Sequence, residues 1–199
     1  MKMKRIIKNT VFSLILLSTI VAWSQDQFIA NTKASKINWK GFKPTGTHNG
    51  TVMLKSGSFN VQNSMIKNGE FEIDMNSIIV LDIPSDESSN AKLVRHLKSD
   101  DFFNSKNYPV ATFKIKSTEP KESKTLVNGD LTIKGITHPV SFLADVTVNG
   151  ESIHLKSEKF EIDRSKWNIK YKSQSFFSDL GDKFISDDME LSVEVHAVK

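Results

Sequence analysis

Apolar and polar residues alternate with period two over long stretches of this chain. Phe71, Ile73 and Met75 interleave with Glu70, Glu72 and Asp74. Ala111, Phe113 and Ile115 interleave with Thr112, Lys114 and Lys116, and Leu131 and Ile133 with Asp130, Thr132 and Lys134. Val140, Phe142, Ala144, Val146 and Val148 hold one phase, broken only by Leu143, and Ile153, Leu155, Phe160 and Ile162 continue it. Met189, Leu191, Val193, Val195 and Ala197 complete the series. A repeat of two sends successive side chains to opposite faces, so each run predicts a strand with one buried face.

Turn chemistry punctuates the runs at Asn68-Gly69, Asn128-Gly129, Lys134-Gly135 and Asn149-Gly150. Asn-Gly between alternating strands signals a hairpin, but only Asn149-Gly150 sits cleanly between two runs. The first two pairs read equally as bulges within long bent strands. One segment breaks the pattern. Leu93, Val94 and Leu97 in Asn90–Lys98 have helical spacing, with Ser85 or Asp86 as the expected N-cap. A second short turn is expected near Asp163–Trp167. About eight antiparallel strands with one short helix predict an all-β fold closed into a barrel, which removes the sheet edges. Periodicity shows that the interior is apolar. Whether that interior is hollow or filled stays open at this level.

The N-terminus follows a different logic. Lys2, Lys4, Arg5 and Lys8 precede an apolar run from Thr10 to Ala22, and Ala22-Trp23-Ser24 offers a small-x-small site. This is the plan of a secretory signal peptide over 1–24, leaving one domain over 25–199. The run is short for a spanning helix, so no transmembrane segment is expected after cleavage, although an uncleaved anchor is the alternative. Of 27 basic side chains four lie in this leader, and the remaining 23 face 23 acidic ones. The basicity therefore belongs to the leader, and nucleic-acid binding has no support. The absence of Cys excludes disulfides, thiol catalysis and thiolate metal sites. With 25% charged and 38% hydrophobic residues, the chain is neither collagen-like, coiled-coil, polytopic nor disordered.

Catalytic motifs are missing. No serine stands in Gly-x-Ser-x-Gly, no Gly-x-x-x-x-Gly-Lys loop is present, and Glu70, Glu72 and Asp74 alternate onto the outward face. The five histidines, His48, His96, His138, His154 and His196, show no close metal-ligand spacing. Asp179, Asp182, Asp187 and Asp188 lack the order of a calcium loop. The expectation is a protein that is not an enzyme and holds no metal or cofactor.

Three groups stand out from this background. They are Trp39-Lys-Gly41 with Gly46-Thr-His48-x-Gly50, the His96-Leu97-x-Ser99-x-Asp101-Phe102-Phe103 segment leading to Tyr108-Pro109 and Phe113, and Asp163-Arg164-x-x-Trp167. With Gly69 and Ile73-Asp74-Met75, the Gly129–Thr137 stretch, Phe160-x-Ile162 and the final strand from Ile185 to Lys199, their order resembles the YceI family over about residues 28–199. That resemblance implies an extended, lipocalin-like β-barrel, exported to the periplasm or secreted. It also implies an elongated apolar cavity for a polyisoprenoid or quinone-like amphiphile, with no firmly attached catalytic activity. One departure is the 170–184 segment, which lacks a compact glycine-rich stretch and places Phe176 and Phe177 as a lid or an external contact.

The lining expected for such a cavity is Phe71, Ile73, Met75, Phe102, Phe103, Phe113, Ile115, Leu131, Ile133, Phe142, Val146, Phe160, Ile162, Trp167, Met189, Leu191 and Val193. The ligand is a lipid or hydrophobic small molecule, and the reading admits a homodimer. Two alternatives remain at this stage. One is a solid-core stress-response or interaction protein. The other is an enzyme acting on a hydrophobic substrate through His48, His96, Asp163 or Arg164. Phe103 would plug the core in the first and line a tunnel in the lipid-binding reading.

Overall fold

The computed structural model of the chain describes residues 25–199. The leader expected over 1–24 lies outside them. The elements are β1 (Asp26–Ala30), β2 (Lys36–Lys43), β3 (Gly46–Gln62), β4 (Met65–Val80), α1 (Ser88–Lys98), β5 (Val110–Lys121), β6 (Lys124–Ile133), β7 (Ile136–Val148), β8 (Ser152–Ser157), β9 (Phe160–Asp163) and β10 (Asp188–Val198). A 3₁₀ turn, Arg164–Trp167, follows β9. Among the described residues no helix is long and apolar enough to cross a membrane.

The strands form one antiparallel sheet that closes on itself. Consecutive strands pair from β2 through β8, and β10 joins β8 to β2. Ten strands fill eight positions, because two positions are broken. β10 pairs with β2 through Met189–Glu194 and with β1 through Ala197 and Val198. On its other edge it pairs with β9 through Asp188–Leu191 and with β8 through Glu194–Val198. The expected eight-stranded barrel is thus correct in its ring, with two short strands the alternation did not separate.

Bulges bend the long strands. β3 carries an extra residue at Lys55, because Leu54 pairs Ile73 whereas Ser56 pairs Glu72. The inward phase flips there, from Val52 and Leu54 to Phe59 and Val61. Asn68-Gly69 and Asn128-Gly129 both lie inside strands at register shifts, so the bulge reading holds over the hairpin one. Gly129 is required by space: an added Cβ would stand 2.5 Å from the Phe113 ring. Lys134 and Gly135, both with positive φ (50° and 74°), form the tight turn between β6 and β7.

Helix α1 begins at Ser88, two residues before the Asn90–Lys98 pattern but later than the expected caps would start it. Its N-cap is Glu87 rather than Ser85 or Asp86, and the cap makes no side-chain bond to the helix backbone. Buried Asn90 compensates by donating to the Val80 (3.2 Å) and Ile83 (2.8 Å) carbonyls, which ties the helix to the exit of β4. Leu93 and Leu97 then rest on one end of the barrel, the mouth.

Candidate functional site

The barrel interior is hollow. Three chambers of about 80, 70 and 80 Å³ succeed one another and share walls. Each is several times the roughly 10–15 Å³ that one water requires on the same measure. The deep chamber takes Phe71, Ile73, Phe113, Ile115, Leu131, Phe142, Phe160, Leu191 and Val193. The middle chamber shares Ile73, Leu131 and Leu191 and adds Met75, Ile133, Ile162, Phe103 and Met189. The mouth chamber shares Phe103 and Met189 and adds Phe102. The deep and middle chambers are lined by apolar side chains alone. Several of these inward residues, including Ile73, Phe113, Leu191 and Val193, are only half-buried even though they point inward.

Two expected lining residues are misplaced. Val146 lies near the Asn149 turn and packs against the core without bordering a chamber, because parity fixes the face of a strand but not where along it the cavity ends. Trp167 is buried outside the chambers. Its indole N–H donates to the Leu131 carbonyl (3.1 Å) and its ring meets His138 edge-on at 5.2 Å. An indole carries a donor that must be paired when buried, and the strand backbone supplies the acceptor.

The expectation in turn missed residues. Ile37 and Trp39 on β2, Leu54 and Phe59 on β3, and Leu155 and Val195 also line chambers. Ile37 and Trp39 carry a readable period of two within Lys36–Lys40. Leu54 and Phe59 stand at opposite parities across the Lys55 bulge, which hides them from any fixed alternation.

Trp39 bears on function most directly. It is 9% exposed, lies against Gly50 at the junction of the middle and mouth chambers, and its Nε1 has no hydrogen-bond partner. A buried donor without an acceptor costs about 1–3 kcal/mol. That nitrogen is sealed within the wall between the middle and mouth chambers rather than exposed on their surface.

Most polar groups at the mouth are committed to structure, whereas buried His96 Nε2 and Asp187 Oδ1 lack hydrogen-bond partners. Arg164, 1% exposed, donates to the carbonyls of Ser186 (2.9 Å), Ile169 (2.8 Å) and Ile185 (2.9 Å). Its guanidinium also lies 3.3 Å from Asp187 and 5.7 Å from the centre of the Phe102 ring. Burial pushes the Arg164 pKa below its ordinary range, against the pull of Asp187 and Asp163. Burial alone would raise Asp187, but the Ser173 and Ser175 hydroxyls and the Arg164 charge outweigh it and hold that carboxyl below its usual range. Asp163 caps the 3₁₀ turn, accepting from the Ser165 amide (2.9 Å) and hydroxyl (2.6 Å). His48 pairs with Asp82 at 2.7 Å, and His96 sits 3.6 Å from Asp101 among Phe102 and Tyr171. Asp163 and Arg164 are held in hydrogen bonds of the scaffold and His48 in its pair with Asp82, although His48 and Arg164 both border the mouth chamber. Phe176 and Phe177 are exposed and border none of the three chambers; Phe177 instead lines an open surface groove with Tyr171, Asp100 and Asp101.

The match to a family model settles the lineage. The YceI-like domain model covers residues 28–197. The chain belongs to the YceI family. It is 32% identical over 117 residues to the UPF0312 protein plu2095 of Photorhabdus laumondii subsp. laumondii, covering 58% of this chain and 59% of that protein. Protein YceI of Escherichia coli O157:H7 matches at 32% over 117 residues, with 58% and 60% covered. The matched stretch thus spans about three-fifths of these curated relatives. Among solved structures, Burkholderia cenocepacia BcnA superposes with a TM-score of 0.62 at 19% identity, covering 84% of this chain and 98% of that one. A polyisoprenoid binding domain from Saccharophagus degradans, implicated in plant cell wall breakdown, gives 0.60 at 14% identity, with 86% and 97% covered. These two likenesses establish the fold.

Proposed function

We propose that this chain is an exported bacterial lipid-binding protein, acting in the periplasm or outside the cell. In this reading its barrel shields the chain of a polyisoprenoid or an isoprenoid quinone from water. The observation that carries this reading is the run of apolar chambers ending beside an unpartnered indole N–H. Each buried CH₂ contributes about 0.8 kcal/mol, so ten ordered methylenes outweigh a substantial ordering cost. The deep and middle chambers suit an unbranched or methyl-branched hydrocarbon. Trp39 Nε1, sealed in the wall beside the lumen, would meet one acceptor oxygen at the ligand's polar end, such as a quinone carbonyl or an alcohol, once the indole turns toward the chamber. The polyisoprenoid-binding domain among the structural neighbours supports the same ligand class. The residues at the mouth serve as scaffold here, and binding rather than chemistry is the role proposed.

The test is native mass spectrometry of the chain purified without detergent, followed by organic extraction. The expected result is a stoichiometric adduct whose mass matches a long-chain isoprenoid. A protein that carries no lipid and takes up none from vesicles doped with an isoprenoid quinone would overturn the proposal in favour of a ligand-free interaction protein.

A further inference from the structure

A second cluster lies on the outer wall, away from the lumen. His154 on β8 and His196 on β10 are direct cross-strand partners, and Glu194 lies two residues before His196 on the same face. The imidazoles stack with centroids 4.3 Å apart and planes 13° from parallel. His154 Nε2 is 2.8 Å from Glu194 Oε1, and His196 Nε2 is 3.7 Å from the same oxygen. One ligand atom from each of the three residues falls within 4.8 Å of the others. All three side chains are half-exposed, so an ion has direct access from solvent.

We infer that His154, His196 and Glu194 form a binding site for a divalent transition metal that staples β8 to β10. The distances fit the chemistry. Two ligands at about 2.0–2.1 Å on a tetrahedral ion stand roughly 3.3 Å apart, between the two separations seen here. Two imidazoles and one carboxylate select zinc, copper or nickel over calcium and magnesium, which take oxygen ligands. The ligands come from paired strands of a closed sheet, so register rather than loop order brings them together. Closing on an ion requires the stacked rings to tilt until their in-plane lone pairs converge, and His154 Nε2 to release the proton it shares with Glu194 to solvent, for which the exposure of all three side chains leaves room. A fourth position faces solvent and would hold water. Lys36 and Lys156, the cross-strand neighbours of Glu194 on either side, oppose a cation and weaken the site.

The seam gives the site a consequence. β8 and β10 are the pair through which the meander of β2 to β8 returns to the C-terminal strand. An ion that binds this pair only when it is formed stabilises the closed barrel by mass action.

The experiment uses the untagged full chain, stripped with EDTA and titrated with zinc sulfate by calorimetry and by thermal melting. One zinc per chain and a melting temperature raised by several degrees are expected. His154→Ala and His196→Ala should abolish both effects. Glu194→Gln should weaken binding by roughly tenfold or more, the scale on which even outer-shell partners act. Lys156→Gln should tighten it. In the wild-type protein, zinc should shift the imidazole ¹⁵N resonances of His154 and His196 while leaving those of His48, His96 and His138 in place, a readout that needs no variant to fold. Zinc binding that survives both histidine substitutions, or no saturable binding, or resonance shifts at the other histidines would overturn the inference. In the last two cases the His154–Glu194 pair is a plain hydrogen bond.

Discussion

Two tryptophans at the mouth end of this barrel show how the same side chain serves opposite ends. Trp167 is 1% exposed, packed beside His138, with its indole N–H paired to the Leu131 carbonyl. Trp39 is 9% exposed on the lumen wall, with its N–H directed at no acceptor. Around Trp167 the neighbouring Arg164 donates to three backbone carbonyls and faces Asp187, so both large side chains have partners within the chain. Around Trp39 the wall remains one hydrogen bond short. His96 Nε2, Asn104 Oδ1 and Asp187 Oδ1 are also unpartnered, so what sets Trp39 apart is that its orphan donor lies in the lumen wall.

The comparison breaks most visibly if Trp167 is truncated. Trp167→Ala removes a fully buried ring and strands the Leu131 carbonyl, and should cost about 3–5 kcal/mol in chemical denaturation. A loss below about 1 kcal/mol would mean that this corner is not structural. A smaller effect attaches to Asp187, which holds Arg164 in place. Its pKa is lowered in the folded chain, so its contribution is complete above the ordinary carboxylate range of about 4 and is lost as pH falls through the depressed folded value. Asp187→Asn should destabilise by about 1–2 kcal/mol at neutral pH and flatten the acid limb of the melting-temperature profile. Parallel profiles for the two proteins would remove Asp187 from this role. The smallest stability effect belongs to Trp39→Phe. It deletes an unpaired donor, so the melting temperature should hold or rise slightly. Affinity for an isoprenoid quinone should fall about 2–10-fold, the worth of one hydrogen bond. Unchanged affinity, or equal loss for a quinone and for its hydrocarbon chain alone, would end the assignment of the indole as the polar anchor.

Much of this architecture was legible in the alternation itself. Fifteen of the seventeen residues chosen from parity and family resemblance border the lumen, because a half-buried strand has no freedom to hide which face is apolar. What escaped depended on events a fixed period cannot register. The Lys55 bulge reverses the inward phase of β3, so Leu54 and Phe59 line one chamber from opposite parities. Phe71 fits only because Gly57 across from it has no Cβ, which would stand 2.2 Å from the ring. Val146 shows the converse, correct in face but past the end of the cavity. The outer His154–His196–Glu194 cluster was incomplete in the sequence, because Glu194 and His196 share a strand whereas His154 reaches them only through the register of β8 against β10.

β10 also fixes when the protein can begin to work. Met189 borders the middle and mouth chambers, Leu191 the deep and middle ones, and Val193 and Val195 the deep one, so this strand walls all three. It also touches four other strands, β1, β2, β8 and β9. Every one of those partners is synthesised before it. Until residues 188–198 arrive, the preceding strands enclose nothing, whatever pairing they have achieved among themselves. Ring closure joins residues far apart in sequence, and such pairing is slow. The chain is therefore an open trough until β10 pairs, and it acquires an interior only when that strand closes the ring.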